Sequence, residues 1–548
     1  MLSPLRIACL GLVLSISAPV AAVEPEAPDR LITAEEAALI TIRTRLRNAK
    51  PEGIRLTQFE KGDAIDRAGL AKFYATLSEH IPGTPKPLWI DKEGLTDRAR
   101  AAALEISKAA DWGFDPDDFA LPQSDFTADG RLTARDLVDL EMKMSLAILK
   151  YVRYARGGRM DPTDLSLDID RKPPLLPAAD VLKGALEADD IAQYMRDQHP
   201  NHDQFVKLRD AYLKVRDEER DLSENSDDGR VSRRNLRKTT ELAQRLLYNM
   251  EMWRWMPREL GDFYVQANIP EYRIRVIDDG RIIHSERIVV GKVENKTPMF
   301  SDELEYLEFR PNWGVPNSIK VKEIMPKIIR GKDIESQGLR IQLNGRDIDS
   351  SRIDWSRADI RNYHVYQPPG RRNALGLVKF MFPNKHAVYF HDTPSKYLFK
   401  KKVRAYSHGC MRVRDPMKMA AVLLGHDKGW GRERVDRIVE SGIDNNRIQL
   451  GQKYPVHVTY FTARANQDGE IELTDDLYGH EKLIQKGFDG KAHTIVKEDR
   501  SLDKLVARKR RRIERVAENR AESNPWYENQ PRRRNRDTRW RRRVFGFD

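Results

Sequence analysis

From about residue 31 to residue 215, apolar residues recur at three- and four-residue spacing, in runs such as Ala68 to Leu77, Thr96 to Ala110 and Leu137 to Ala155. That period puts them on one face of a helix and predicts an α-helical N-terminal domain over 23–215. Asp115-Pro116 and Asp161-Pro162 read as turns or helix starts. Arg216 to Lys238 is almost wholly charged or polar, which predicts a solvated helix or linker over 216–245. After Pro257 the period falls to two. Phe263 to Ile269, Arg273 to Ile277, Ile282 to Val290 and Leu304 to Phe309 alternate and are rich in β-branched and aromatic residues, with Asp278-Asp279-Gly280 as a turn. Strand signals return at Val378 to Phe382, Ala387 to Phe390 and Val456 to Thr462, and Met417 to Leu424 and Arg432 to Glu440 read as short helices. Between the β-rich halves lies a polar insertion over 319–370, long enough to form a lid. The expected fold is a multidomain α+β protein: a helical N-terminal domain, then a mostly β domain over 246–480 with helical decoration.

Composition changes this picture at the two ends. Arg6, the apolar run Ile7 to Ile16 and the small residues Ser17 to Ala22 have the three parts of a signal peptide over 1–22, so export to a bacterial periplasm is expected; an uncleaved anchor is the alternative. Residues 501–548 hold 16 Lys/Arg against 7 Asp/Glu and carry +9 of the net charge of +12. The high pI therefore belongs to the C-terminus, and 481–548 reads as a basic, largely disordered tail with a basic helix at Leu502 to Val516. Electrostatic attachment to an anionic envelope surface is one reading of it, and a solvated extension the other. Nucleic-acid binding does not suit an exported chain.

There are two cysteines, and Cys9 falls inside the signal. An exported chain left with Cys410 alone cannot form an internal disulfide. Cys410 sits in Ser407-His408-Gly409-Cys410-Met411-Arg412-Val413. A thiol attacks as thiolate and needs a base or cation beside it. His391 ends an apolar strand, and fifteen residues separate it from Ser407, enough for a loop returning to a neighbouring strand. Gly409 lets backbone amides turn towards a developing oxyanion, and Arg412 would share a strand face with Cys410, to steady the turn or hold a substrate carboxylate. The remaining histidines are dispersed without ligand spacing, so neither a metal nor a cofactor is implied.

The pattern His391-x15-Ser407-His408-Gly409-Cys410-x-Arg412 resembles the signature of the L,D-transpeptidases, in particular the larger periplasmic members. Asn249-Met250-Glu251-x-x-Arg254-Trp255, Asn268-Ile269-Pro270, Val290-Gly291-Lys292, Thr297-Pro298 and Asn312-Trp313-x-Val315-Pro316 extend the resemblance. So do Gln367-Pro368-Pro369-Gly370, Asn373-Ala374-Leu375-Gly376, Lys379-Phe380 and Phe382-Pro383-Asn384, and it covers about residues 245 to 480. It implies that Cys410 attacks the third-residue carbonyl of a peptidoglycan tetrapeptide stem, releases D-Ala and passes the acyl group to an amine, making a 3→3 crosslink. It implies His391 as the proton shuttle, oriented by the backbone carbonyl of Asp392, with oxyanion donors among residues 408–410 and with Ser407 and His408 holding the loop. Tyr389 is either a hydrogen-bond donor to substrate or a core tyrosine. Trp313 and Asn373 are candidates for substrate binding or for packing. The same acyl-enzyme would serve to tether an outer-membrane protein to peptidoglycan or, with water, act as an L,D-carboxypeptidase. A non-catalytic scaffold would not be acylated by a carbapenem, as the family normally is. Two features depart from the family: cues for a peptidoglycan-binding module are missing around 205–245, and the Arg-rich tail is extra.

Overall fold

A computed structural model describes residues 58–496, apart from 81–86, 92–93, 123–132, 225–228, 331 and 356–357. The expected signal peptide and the Arg-rich end of the tail lie outside the described residues. The N-terminal region is helical: α1 (Gln58–His80), α2 (Asp97–Ser107), α3 (Ala134–Gly157), α4 (Ala178–Glu187) and α5 (Ile191–Arg196). Local chemistry sets two of the starts. The Thr96 side chain accepts from the Ala99 N–H, and Thr133 and Asp136 form a reciprocal capping box at α3. Leu70, Trp89, Ile106, Leu140, Met144 and Ile148 build a core of their own. Glu141 is buried within it, but its carboxylate accepts from the Leu88 and Trp89 N–H groups (2.7 and 2.9 Å) and from the Tyr74 hydroxyl, so its polar atoms are satisfied. The charged stretch after residue 203 is a helical pair, α6 (Asp203–Glu224) and α7 (Gly229–Arg254). The apolar end of α7 carries Leu246, Met250 and Trp253 into the core of the next domain.

That domain is a closed barrel. Its strands are β1 (Phe263–Asn268), β2 (Arg273–Asp278), β3 (Arg281–Gly291) and β4 (Phe300–Phe309). The insertion adds β5 (Trp313–Gly314), β6 (Arg340–Leu343), β7 (Arg346–Ile348) and β8 (His364–Gln367). The barrel resumes with β9 (Val378–Met381), β10 (Phe390–His391), β11 (Ala405–Ser407), β12 (Met411–Val413) and β13 (Asn446–Thr459). Pairing runs β2-β3-β12-β10-β9-β4-β13-β1 and returns to β2, while β11 pairs with the end of β3. Most neighbours are antiparallel, but β10–β12, β13–β1 and β11–β3 are parallel. Val265, Ile274, Ile288, Leu307, Phe380, Phe390, Met411 and Val456 fill the interior. The α+β architecture read from the sequence is the one observed.

Two boundaries differ from the sequence reading. The insertion expected over 319–370 starts earlier, at Trp313, and is a folded unit. Strands β5 to β8 form a separate antiparallel sheet, and Val315, Val321, Ile324, Ile334, Ile341, Ile360 and Val365 pack into a small core under it. Its helical stretch contains a π-turn, Lys320–Ile324. The expected tail from 481 begins too early, because α8 (His480–Phe488) packs against α7 and residues 162–165 with Ile484 fully buried.

A strap from the helical region docks on the barrel. The Met299 N–H donates to Asp168 O (2.7 Å), the Asp170 N–H donates to Met299 O (2.9 Å), and Arg171 donates to Val458 O (2.6 Å) and to Ser301 Oγ. Beside it, Glu251 and Arg254 of α7 are buried together at 3.5 Å. Glu251 also accepts from the Arg159 N–H (2.6 Å), and Arg254 donates to Trp112 O (2.7 Å). Gly158 has φ +79°, and a Cβ there would run into the Glu251 carboxylate, so both the backbone and the space require glycine.

Candidate active site

Parallel pairing decides which side chains meet. β10 and β12 are in register with Phe390 opposite Met411 and His391 opposite Arg412. Registered residues of parallel strands point to the same face, and alternate residues to opposite faces. Phe390 and Met411 therefore fill the barrel, and Tyr389, His391, Cys410 and Arg412 lie together on its outer face.

Cys410 is half-buried at the start of β12. The Tyr389 hydroxyl and backbone N–H both donate towards its sulfur, and the Trp313 indole donates to the Tyr389 oxygen. On the far side Sγ lies 3.8 Å from the Ala387 carbonyl, a residue held at φ +52°. Burial pushes the thiol up to about 11, against the lowering effects of Tyr389 and the Arg412 cation. His391 is buried, and its Nδ1 lies 2.5 Å from Asp392 O. A carbonyl only accepts, so Nδ1 carries the proton and Nε2 keeps a lone pair. Burial, and then the Arg412 charge, lower His391 to about 3. At neutral pH the resting pair is thus thiol and neutral imidazole.

The loop before Cys410 is braced from within. Ser407 Oγ accepts from the Gly409 N–H (3.1 Å) and donates to Cys410 O (2.5 Å). Gly409 sits at φ +122°, a conformation L side chains rarely adopt. Thr297 Oγ1 donates to Gly409 O (2.7 Å) and accepts from the Gly291 N–H (2.9 Å), while the Tyr478 hydroxyl donates to Gly291 O (2.6 Å). Thr297 and Tyr478 had no assigned role in the sequence reading. Nothing in sequence links Tyr478 to the loop, and the Thr297-Pro298 pair was the only pointer to it.

The remaining expected residues are placed by their hydrogen bonds. The Gly409 N–H is engaged by Ser407, which takes it out of the expected oxyanion donors. Asn373 is buried; its Nδ2 donates to Pro311 O (3.0 Å), Gln367 O (3.1 Å) and Pro368 O (2.9 Å), and its Oδ1 accepts from the Leu375 N–H (2.8 Å). With no donor left for a ligand, it ties the two ends of the insertion together. The Asp392 carboxylate is buried and accepts from the Leu377 N–H (2.9 Å), the Thr393 N–H (2.6 Å) and Lys396 Nζ (2.6 Å), so it fixes the turn that aims its own carbonyl at His391. His408 faces the insertion, where its Nε2 lies 2.5 Å from Glu323 in the π-turn. The Arg412 Nε is buried without a partner. Among the described residues no group of three or more His, Cys, Asp or Glu could hold a metal.

The barrel thus bears a cysteine and a carbonyl-oriented histidine on one outer face. Residues 262–436 match the model of the L,D-transpeptidase catalytic domain, and residues 69–211 match that of a scaffold domain. A Haemophilus influenzae protein named "Putative L,D-transpeptidase" is 31% identical over 252 residues, 45% of this chain and 50% of that one, so the chain spans about half the length of this curated relative. Among solved structures, an L,D-transpeptidase from Mycobacterium smegmatis is 12% identical over 36% of this chain and 58% of its own, with a TM-score of 0.18. An LD transpeptidase in complex with imipenem is 12% identical over 36% and 59%, with a TM-score of 0.17. Residues 262–436 form a catalytic domain of the L,D-transpeptidase family.

Proposed function

We propose that the protein is a peptidoglycan L,D-transpeptidase with Cys410 as nucleophile. One observation carries the reading: Tyr389, His391, Cys410 and Arg412 share a face across the parallel β10–β12 pair. As Sγ attacks the third-residue carbonyl of a tetrapeptide stem, the thiol proton passes to His391 Nε2 and the S–C bond forms. The oxyanion is stabilised by backbone N–H groups beside Cys410. The C–N bond to D-Ala then breaks, and the imidazolium returns its proton to the leaving amine. An amine from a second stem attacks the thioester, gives its proton to His391 and restores the thiol, leaving a 3→3 crosslink. Because thiol and imidazole rest neutral, charge appears only as the bond forms, and Tyr389 and Arg412 are placed to stabilise the developing thiolate. The Arg412 guanidinium supplies the cation for a stem carboxylate.

The reaction belongs to the cell envelope, which fits the signal peptide expected over 1–22, and among the described residues no helix is long and apolar enough to cross a membrane. Incubation with tetrapeptide stems and mass analysis tests the reading. Wild type should give dimers that have lost D-Ala, and Cys410→Ala should lose more than about 10³-fold of that rate. Protein adducts would reassign the acceptor to an envelope protein, and tripeptides alone to water. Unmodified stems and a thiol left unacylated by a carbapenem would sink the reading.

A further inference from the structure

The loop that carries the nucleophile is held from residues 476–488, a segment that follows the stretch matched to the catalytic domain. Gly409 O and the Cys410 N–H belong to one peptide unit, and in a trans peptide they point opposite ways. Thr297 Oγ1 fixes the Gly409 end at 2.7 Å, which sets the direction of the Cys410 N–H. Among the described residues that N–H donates to no other group, so it can meet a developing oxyanion. Thr297 is itself set from behind. Its own N–H donates to the Tyr478 hydroxyl (3.2 Å), and that hydroxyl donates to Gly291 O (2.6 Å). The Gly291 N–H closes the ring on Thr297 Oγ1 (2.9 Å). Both side chains are buried, so a bond lost here leaves its partner unsatisfied.

Tyr478 is anchored in turn. Its N–H donates to the Tyr460 hydroxyl (2.5 Å), which donates to Asp476 (2.8 Å). The Asp476 carboxylate also accepts from the His480 and Glu481 N–H groups (2.9 and 3.1 Å), in the first turn of α8. The far end of α8 sits on the helical region. Phe488 meets Tyr248 of α7 edge-on with ring centroids 5.6 Å apart, and the Arg159 guanidinium lies 4.0 Å over its ring. Gly487 is packed so closely on Met160 that a Cβ would run into its sulfur. One segment thus touches the helical region at one end and the nucleophile loop at the other. We propose that 476–488 is a positioning element, in which Tyr478 acts through Thr297 to aim the Cys410 N–H and the seat of α8 on the helical region holds Tyr478 in place. This deepens the transpeptidase reading and rests on it for the acyl step.

Two reagents applied to the full chain separate aim from reactivity. A carbapenem acylates through a carbonyl and needs the oxyanion donor, whereas iodoacetamide alkylates the same sulfur without one. In Tyr478→Phe, which keeps the ring and loses the hydroxyl, acylation should slow about ten-fold while alkylation stays at the wild-type rate. Thr297→Val should do the same, and Thr297→Ser, which keeps the hydroxyl, should recover most of the rate. Phe488→Ala, remote from the loop, should slow acylation about three-fold through the seat of α8. Thermal melts report whether each variant is folded. Wild-type acylation in folded Tyr478→Phe or Thr297→Val, or equal slowing with both reagents, overturns the positioning role. A wild-type rate in Phe488→Ala overturns its link to the helical region. If wild type itself resists the carbapenem, the transpeptidase reading fails. Amide exchange over 407–411 then decides the positioning role: faster exchange in Tyr478→Phe than in wild type upholds it, and equal exchange removes it.

Discussion

The barrel is joined to the rest of the chain in two places, and the two joints are built in opposite ways. Towards the helical domain the contact is deep. Glu251, Arg254 and Arg159 interlock, Trp112 stacks on His199 with ring centroids 3.7 Å apart, and the strap at 168–171 hydrogen-bonds to the barrel. Towards the insertion the polar contacts that reach the nucleophile loop are slight: Glu323 on His408, and Trp313 on Tyr389. The insertion has a small core of its own. The difference separates a fixed foundation from a replaceable cover. Breaking a buried charge pair strands its partner in low dielectric, whereas losing a half-exposed pair returns both groups to water.

The sharpest test of that contrast is Glu251→Ala, which leaves Arg254 unpaired. Denaturant unfolding should show a loss of about 3–5 kcal/mol, and a loss below 1 kcal/mol would remove the distinction. Acid should weaken the deep joint next. Burial holds His199 well below the usual histidine value, and His457 and His480 at about 4 and 3. Such groups bind a proton more readily unfolded, so their contribution is present above about pH 6.5 and is lost as pH falls towards 3. Each contributes up to about 1.4 kcal/mol per pH unit in that window, and a His199→Gln variant should show a slope shallower by one proton. At the cover, Trp313→Phe removes the donor to Tyr389 and should slow alkylation or acylation of Cys410 about five-fold with global stability unchanged. The smallest effect is expected from Glu323→Gln, about 0–1 kcal/mol, read as faster amide exchange in 317–329 that 1 M salt reproduces in wild type. If Glu323→Gln instead unfolds the barrel, the insertion is part of the foundation.

Local pattern made the barrel legible and left the joints dark. Alternation marked β1, β2, β3 and β9 because each has one face in the core, and the helical period marked α3 for the same reason. The insertion read as polar because its core residues are thinly spread between Val315 and Val365, too sparse to show a period. Cys410 and His391 stood out through residue type and spacing. Their shared face depends on parallel pairing, which no local pattern encodes. Asn373 read equally as a ligand contact or a packing residue, since an amide's chemistry does not reveal that four backbone groups will use it. Glu323, 85 residues from His408, and Tyr478, 187 from Gly291, meet their partners only in the folded chain.

Closure of the barrel has a consequence for how the chain must fold. Strand β13 pairs with β1 and with β4, joining Val456 to Val265 and Ile448 to Leu307. Those partners are about 190 and 140 residues apart, so the ring is sealed by contacts of high contact order, which form slowly. During synthesis the segment bearing Cys410 is complete before β13 has emerged. Until then the face that tunes the thiol belongs to an open sheet with unpaired edges. A chain stopped before residue 446 should therefore carry a cysteine with the reactivity of an ordinary thiol, on a sheet prone to aggregate.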